Sequence, residues 1–186
     1  AVTGFTLMAL QIFLLLAFQS VYGYVYHKLA ILIAMFMAGI SFGCWLATRQ
    51  VRSSNNPFGM IATTQFILAA SAPGLIFLVS RLSQSSVTLL AAQVLFPMLA
   101  GLGGMVGGYQ FPLATEVYLR DSNSKTGLGT VYALDLLGGC AGALLLSSYL
   151  IPVFGFSKTA WLSAAVNLAP ALLAARVSLE SRRCQA

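Results

Sequence analysis

Charged side chains are scarce in this sequence, since Asp, Glu, Lys and Arg together make up 8% of its 186 residues. A soluble domain carries about 25% charged residues, so this set cannot cover a surface that faces water. Hydrophobic residues make up 59%, and the mean hydropathy is +0.87. The shortage of charge therefore predicts an all-α polytopic membrane protein whose main partner is the lipid bilayer.

Residues that ligate metals or act as nucleophiles are also few. His27 is the only histidine, which excludes bis-histidine haem ligation within the chain and the H-E-x-x-H zinc motif. Cys44, Cys140 and Cys184 have no C-x-x-C spacing, so we expect free thiols. The Gly-Leu-Gly-Gly run at 101–104 lies in an apolar stretch without a following lysine, so it does not predict a phosphate loop. We expect neither an enzyme nor a cofactor or metal site.

Net charge is +6, but the basic residues are scattered among short connections. No basic face interleaved with aromatics is available for nucleic acid. Counting by side gives seven basic residues on one side of the membrane and three on the other. The richer side is normally cytoplasmic, so both termini are predicted to face the cytoplasm. Tyrosines around His27 are typical of an aromatic belt at the membrane interface.

Six apolar runs come close to the length of about 20 residues that a membrane helix needs. They cover approximately residues 2–20, 29–47, 58–79, 87–109, 129–151 and 156–177. The connections are short, which predicts one membrane domain over residues 1–186. Nothing resembles a signal peptide, because no basic segment precedes the first apolar run.

Sliding the chain 99 positions along itself indicates an internal repeat. The matches are Gly4 with Gly103, Gln11 with Gln110, Leu14 with Leu113, Gly39 with Gly138 and Gly43 with Gly142. Each half contains three spans, an odd number, so the second half would enter the membrane with opposite polarity. The pattern predicts a 3+3 inverted repeat, an arrangement common among transporters.

One carboxylate, Asp135, lies inside the fifth apolar run. A charge at the bilayer centre costs about 2.5–3.5 kcal/mol on insertion scales, so this residue is a candidate for contact with an ion, a proton or a cationic substrate. We group it with Tyr132 and with the intramembrane amides Gln11 and Gln110 as a candidate polar site. The alternatives are a carboxylate bonded to neighbouring side chains and glutamines that hold helices together.

Two further groups of residues are candidates for contacts. Small residues four apart let membrane helices approach closely, and the candidates are Gly39, Gly43, Gly104, Gly108, Gly138 and Gly142. The longest connection, residues 110–128, contains the most concentrated charge and is a candidate partner-facing loop through Glu116, Arg120, Asp121 and Lys125. Within it, residues 113–120 have the composition of an interfacial helix, with a Glu116–Arg120 pair at the i, i+4 spacing.

Several motifs resemble the multispanning membrane domain of bacterial spermidine synthase-like proteins, relatives of the polyamine aminopropyltransferases. They are Gly108-Tyr-Gln-Phe-Pro-Leu-Ala114, the Tyr132-x-x-Asp135-x-x-Gly138-x-x-x-Gly142 pattern, and Ile151-Pro-x-x-Gly155. In the first half, Gly4-Phe5, Phe18-Gln19, Gly23-Tyr-x-Tyr26 and Phe36-Met-x-Gly39 agree with it. Gln11 departs from the acidic residue usual there. The resemblance implies a bacterial inner-membrane location, and the family's catalytic domain would follow the sixth span, where this chain ends at Ala186.

Three functions follow as expectations. The first is a transporter-like or substrate-channelling module for a small, cationic solute. The second is a membrane anchor or scaffold subunit that holds a redox or catalytic protein, or a second copy of the chain. The third, implied by the resemblance, is the membrane part of an aminopropyltransferase.

Overall fold

The computed structural model describes residues 1–22, 26–51, 57–84, 89–121 and 127–185, and these ranges are almost wholly helical. The helices are α1 (Val2–Tyr22), α2 (Tyr26–Val51), α3 (Pro57–Gln84), α4 (Leu89–Asp121), α5 (Gly127–Leu145) and α6 (Ile151–Gln185). A π-helical turn, Leu146–Leu150, joins α5 to α6. No strand occurs in the described ranges, and the all-α prediction is confirmed.

Five stretches of the described chain are long and apolar enough to cross a membrane. They are Val2–Ser20, Tyr26–Gln50, Gly59–Leu78, Gln93–Tyr118 and Gly129–Val177. A helix satisfies its backbone N–H and C=O groups internally, which is why apolar runs in lipid take this form. Large apolar side chains such as Leu137 and Leu173 remain exposed. This surface is compatible with a multi-pass membrane protein.

Helix α4 is longer than predicted. The sequence places the end of the fourth span at residue 109 and a connection over residues 110–128, but α4 continues to Asp121. Gln110 and Leu113 are buried, so this extension packs within the bundle. Pro112 lies inside it, as prolines do in membrane helices whose freed backbone groups find other partners. The interpretation of residues 110–121 as part of a connection is therefore wrong, whereas the helix predicted over residues 113–120 is present as the end of α4.

The fifth stretch, Gly129–Val177, is 49 residues long and contains a break. Gly155 has φ 77° and ψ 167°, a conformation open to glycine because it lacks a Cβ. The Thr159 hydroxyl lies 2.9 Å from the carbonyl oxygen of Leu150 and 2.8 Å from that of Gly155. In a straight helix, nine residues would separate Thr159 and Leu150 by roughly 13 Å. The chain therefore bends sharply here.

Contacts with α1 establish the direction of α5. Gly138 lies against the backbone of Ala1, and Gly142 lies against the backbone of Phe5. The contact on α1 moves four residues toward the C-terminus, from Ala1 to Phe5, as the contact on α5 moves four residues toward the C-terminus, from Gly138 to Gly142. The two helices are therefore parallel.

Contacts with α1 give the opposite direction for α6. The rings of Phe13 and Phe156 pack edge to face with centroids 5.1 Å apart. Farther along α6, Asn167 Oδ1 lies 2.7 Å from the hydroxyl of Thr6. Residue numbers therefore rise along α1 in the direction in which they fall along α6, so the two helices are antiparallel. The chain reverses direction around Gly155.

Helix α1 lies at the centre of the bundle. The main helix pairs are α2 with α4, α3 with α6 and α1 with α5, while α1 also contacts α3, α4 and α6. Phe18 packs edge to face on Phe96 of α4, with centroids 5.6 Å apart. The largest fully buried apolar side chains are Phe13, Phe18, Phe36, Phe96, Leu14, Leu32, Leu68, Leu113 and Leu146.

Candidate functional site

Helices α2 and α4 pack with their backbones in contact. At each of four glycines, a Cβ would overlap a carbonyl oxygen of the facing helix, so only glycine permits this approach. These approaches, each written as the glycine and the residue whose oxygen it meets, are Gly39–Gly101, Gly43–Met105, Gly104–Phe36 and Gly108–Ile40.

Helices α1 and α5 pack in the same way. The approaches, written likewise, are Gly138–Ala1, Gly142–Phe5 and Gly4–Asp135. Three of the four α2/α4 approaches have a counterpart here. Each α2 residue corresponds to the α5 residue numbered 99 higher, and each α4 residue to the α1 residue numbered 100 lower. For example, Gly39–Gly101 corresponds to Gly138–Ala1. The two helix pairs therefore share one packing register, and Asp135 stands relative to Gly4 where Phe36 stands relative to Gly104.

A cavity of about 530 Å³, here called the central cleft, lies where the two helix pairs meet. Leu7 of α1 and Gly107 of α4 touch each other at its wall. Tyr132 and Leu136 of α5 also line it and are each 55% exposed, so the cleft opens onto the protein surface. Its volume falls in the range of roughly 300–1,000 Å³ that is typical of ligand pockets.

Asp135 supplies the charge of this cleft. Its side chain is 26% exposed, and its Oδ1 lies 3.9 Å from the amino nitrogen of Ala1. Asp135 is the only Asp, Glu, Lys, Arg or His among the described residues that line the cleft. The other wall residues are mostly glycines and large apolar side chains, including Met8, Phe36 and Ile40. This carboxylate, whose Oδ1 already lies 3.9 Å from one amino nitrogen, can hold a cation or a proton.

Two aromatic rings lie beside the carboxylate. Tyr132 precedes Asp135 by three residues, which places both on one face of α5. The Tyr132 ring packs edge to face on Phe111 of α4, with centroids 6.1 Å apart at 83°. Both rings line the cleft. The face of an aromatic ring attracts cations, so the rings and the carboxylate favour the same charge.

The structure separates the two glutamines from the rest of the predicted polar site. Gln11 and Gln110 are buried, but neither lines the central cleft. Each Oε1 has no hydrogen-bond partner in the described chain. Leu10 meets Gly103 and Leu7 meets Gly107, so α1 and α4 are antiparallel. Gln11 and Gln110 therefore lie about eight residues apart in level, or roughly 12 Å. A single site formed by both amides and Asp135 is therefore absent from the described chain.

Of the charged residues predicted to face a partner, Glu116, Arg120 and Asp121 belong to the last turns of α4. Glu116 is partly buried. The side chains of Arg120 and Asp121, and residue Lys125, lie outside what the structure describes. The predicted Glu116–Arg120 pair lies outside it for the same reason.

The sequence did not single out most of the cleft wall. Leu7, Met8, Ile40 and Cys44 are ordinary residues of apolar helices, and only the fold brings them together. The consecutive pair Gly107-Gly108 was the one available signal, because both of these glycines line the cleft.

A buried polar link between α1 and α6 was also missed. Thr6 Oγ1 lies 2.7 Å from Asn167 Oδ1, and Asn167 Nδ2 donates to the carbonyl oxygen of Ser163 at 2.8 Å. An asparagine within an apolar run is the signal that could have found it.

The described residues contain no group of three or more His, Cys, Asp or Glu side chains placed to hold a metal ion. Cys44 and Cys140 are free thiols that both line the cleft. Comparison with family models, curated proteins and solved structures found no match to this chain. The chemistry of the cleft therefore has to be argued from its own residues.

Proposed function

We propose that this chain binds a small organic cation at Asp135 and carries it across the membrane through the central cleft. The observation that carries the proposal is the position of Asp135, a carboxylate in the apolar wall of a cleft between two helix pairs with the same register. An ionisable residue within a membrane helix is costly, which makes function the first interpretation.

The proposal includes six membrane crossings. The 49 residues of Gly129–Val177 would extend about 73 Å as one straight helix, whereas the hydrocarbon core is about 30 Å thick. The bend at Gly155 and the opposite directions of α5 and α6 relative to α1 support two crossings in this stretch.

The proposal also includes two inverted three-helix halves. The shared register of α2/α4 and α1/α5 supports it, as does the contact between Leu7 and Gly107, which are equivalent under the 100-residue shift. In transporters built from inverted repeats, the substrate site lies near the midplane at the interface of the repeats. The lining of the central cleft by α1 and α2 and by α4 and α5 supports a site of this kind.

The charge distribution supports a cytoplasmic location of both termini, since Arg49, Arg120, Arg176 and other basic residues fall on one side of six crossings. The bacterial inner membrane is part of the proposal through the resemblance alone. Labelling of single cysteines placed near Ala1 and Arg176 with a membrane-impermeant maleimide tests this orientation. Labelling from the outside of intact cells would contradict it.

Kinship with the membrane domain of spermidine synthase-like proteins is part of the proposal as well. Of its most specific pattern, Asp135, Gly138 and Gly142 lie at the α1/α5 contact, and Tyr132 lies in the cleft wall. A solved structure of such a domain with both helix pairs in this register would support the kinship, and a different register would contradict it.

Counterflow of a radiolabelled monovalent organic cation in proteoliposomes tests the function. The protein is expected to drive uptake against a trapped excess of unlabelled cation, and Asp135→Asn is expected to reduce the rate at least tenfold. Asp135→Glu keeps the charge and should retain measurable uptake. Equal rates for the original protein and Asp135→Asn would remove Asp135 from the mechanism, and no uptake above protein-free vesicles would contradict transport.

A further inference from the structure

We infer that the central cleft takes an amphipathic monocation, with a single alkylammonium head and an apolar tail, which reaches the site from the bilayer between α2 and α5. The inference rests on the proposed function and specifies its substrate class.

Three groups of the cleft wall favour a cationic head. Asp135 provides one negative charge, and the rings of Tyr132 and Phe111 stand beside it. Quaternary ammonium groups are weakly hydrated cations that bind well to aromatic faces. One carboxylate balances one positive charge, so a cation with several ammonium groups would carry uncompensated charges into an apolar wall.

The remaining wall of the central cleft favours an apolar tail. Away from Asp135 the cleft is lined by side chains such as Leu7, Met8, Phe36 and Ile40. None of these offers a hydrogen-bond donor to a polar solute. A hydrocarbon chain matches this surface, and its transfer from water would add to the affinity of the head.

The helix packing leaves a route from the bilayer between α2 and α5. Helices α2 and α5 both line the cleft, yet they are not one of the packed helix pairs of the described chain. The exposed side chains of α2 and α5 include large apolar ones such as Met37 and Leu137. A molecule dissolved in the membrane can therefore reach Asp135 between α2 and α5 without crossing a polar vestibule.

The shape of the cleft follows from unequal residues at equivalent positions of the two helix pairs. Where α2 has Phe36, Ile40 and Cys44, α5 has Asp135, Gly139 and Ala143. All six line the cleft. The smaller set on α5 leaves the space that a tail would occupy, and it places the charge at one end of that space.

Binding of two matched probes tests the inference. Decyltrimethylammonium and tetramethylammonium carry the same quaternary head, with and without a tail. Dissociation constants are measured in nanodiscs and referred to the free aqueous concentration, with protein-free nanodiscs of the same lipid as the blank for partition into lipid. A buried CH₂ contributes about 0.8 kcal/mol, or roughly fourfold in affinity, so we expect decyltrimethylammonium to bind at least 100-fold more tightly.

Two substitutions of equal size test whether the tail occupies the cleft. Ala143 lines the cleft, whereas Ala141 is exposed outside it. Ala143→Trp is expected to weaken decyltrimethylammonium binding at least tenfold, and Ala141→Trp to leave it within twofold. Thermal unfolding of both variants in the same nanodiscs verifies that they fold, and Ala143→Leu replaces Ala143→Trp if it does not.

The results of these binding experiments distinguish a failure of the amphipathic-substrate inference from a failure of the proposed cation-binding function. Equal affinity for the two probes, with both lost in Asp135→Asn, would overturn the amphipathic substrate and leave cation binding intact. Decyltrimethylammonium binding that is indifferent to Asp135→Asn would overturn the inference and the proposed function together. Equal effects of the two tryptophans would place the tail outside the cleft and overturn the inference.

Discussion

The α2/α4 and α1/α5 helix pairs are built alike and differ in what they enclose. Both bring backbones together at glycines in one register. At the position where the first pair buries Phe36 completely, with 0% exposure, the second carries Asp135. The comparison teaches that the packing is common to both helix pairs, whereas the carboxylate belongs to one of them.

The same comparison explains why a cleft exists. A bundle whose halves carried equal residues would fill its centre symmetrically. Here α5 has Gly139 where α2 has Ile40, so the α5 side of the centre is less filled. The unequal side chains, on an equal backbone framework, leave an apolar space with a carboxylate at its edge.

The largest effect is expected from breaking the shared framework. Gly39→Leu and Gly138→Leu each place a side chain on a facing carbonyl oxygen, and a backbone cannot move aside as a side chain can. Each change should destabilise the fold by more than about 3 kcal/mol, measured by denaturant unfolding in detergent micelles. Gly129→Leu is the control, since no atom lies within 4 Å of its added Cβ. Stability equal to the control in either variant would contradict the backbone contact.

Exchanging the residue types at the two unequal positions sharpens the comparison. Phe36→Asp buries a carboxylate without a partner and should cost about 3 kcal/mol or more. Asp135→Leu removes a charge from an apolar wall and should stabilise the protein by about 1–3 kcal/mol, while it abolishes cation binding. Unfolding free energies from the same denaturant series measure both. A destabilised Asp135→Leu variant would mean that the carboxylate has a structural role.

A smaller effect is expected where α1 has a polar contact that α4 lacks. Thr6 bonds to Asn167 of α6, and the equivalent position on α4 is Val106. Asn167→Ala should reduce the unfolding free energy by about 0.6–1.7 kcal/mol, as for other hydrogen bonds between membrane helices. Thr63→Ala, which removes an exposed bond within one helix, should change it little. Equal losses in both variants would argue against an interhelical role for Asn167.

The smallest effect is expected for the polar contact particular to α2/α4. The Tyr109 hydroxyl donates to Oε1 of Gln50 at 2.6 Å in an exposed setting. The equivalent residues of the other pair, Ala9 and Tyr149, cannot form this bond. Tyr109→Phe should cost about 0.5–1 kcal/mol in the same unfolding series. A loss above about 2 kcal/mol would mean that the hydroxyl has a further partner.

The helical class followed directly from hydropathy, because backbone groups in lipid have few other options. The spacing of Gly39 with Gly43 and Gly138 with Gly142 marked helix faces that do come into backbone contact. The extension of α4 to Asp121 was hidden by Pro112, which looked like the start of a loop. Its burial depends on neighbouring helices, and these are invisible to a local pattern.

The site was only partly accessible from sequence. Asp135 can be identified from sequence because a charged residue in an apolar run is energetically costly. Tyr132 can be identified because it lies one helical turn before Asp135. The pairing of Gln11 with Gln110 rested on a uniform 99-residue shift, whereas the α1/α4 register is shifted by 100. Each residue advances a helix by about 100° of rotation. An error of one residue in the repeat shift therefore pairs side chains that lie on different helix faces.

Protection of Cys44 by a cation tests the central claim most directly, because Cys44 lies on α2 and Asp135 on α5 and both line one cleft. In a variant with Cys140→Ser and Cys184→Ser, decyltrimethylammonium should slow the reaction of Cys44 with N-ethylmaleimide at least fivefold. Adding Asp135→Asn should abolish the protection. Protection that persists in Asp135→Asn, or a Cys44 rate that the cation never changes, would contradict a shared cation site between the two helix pairs.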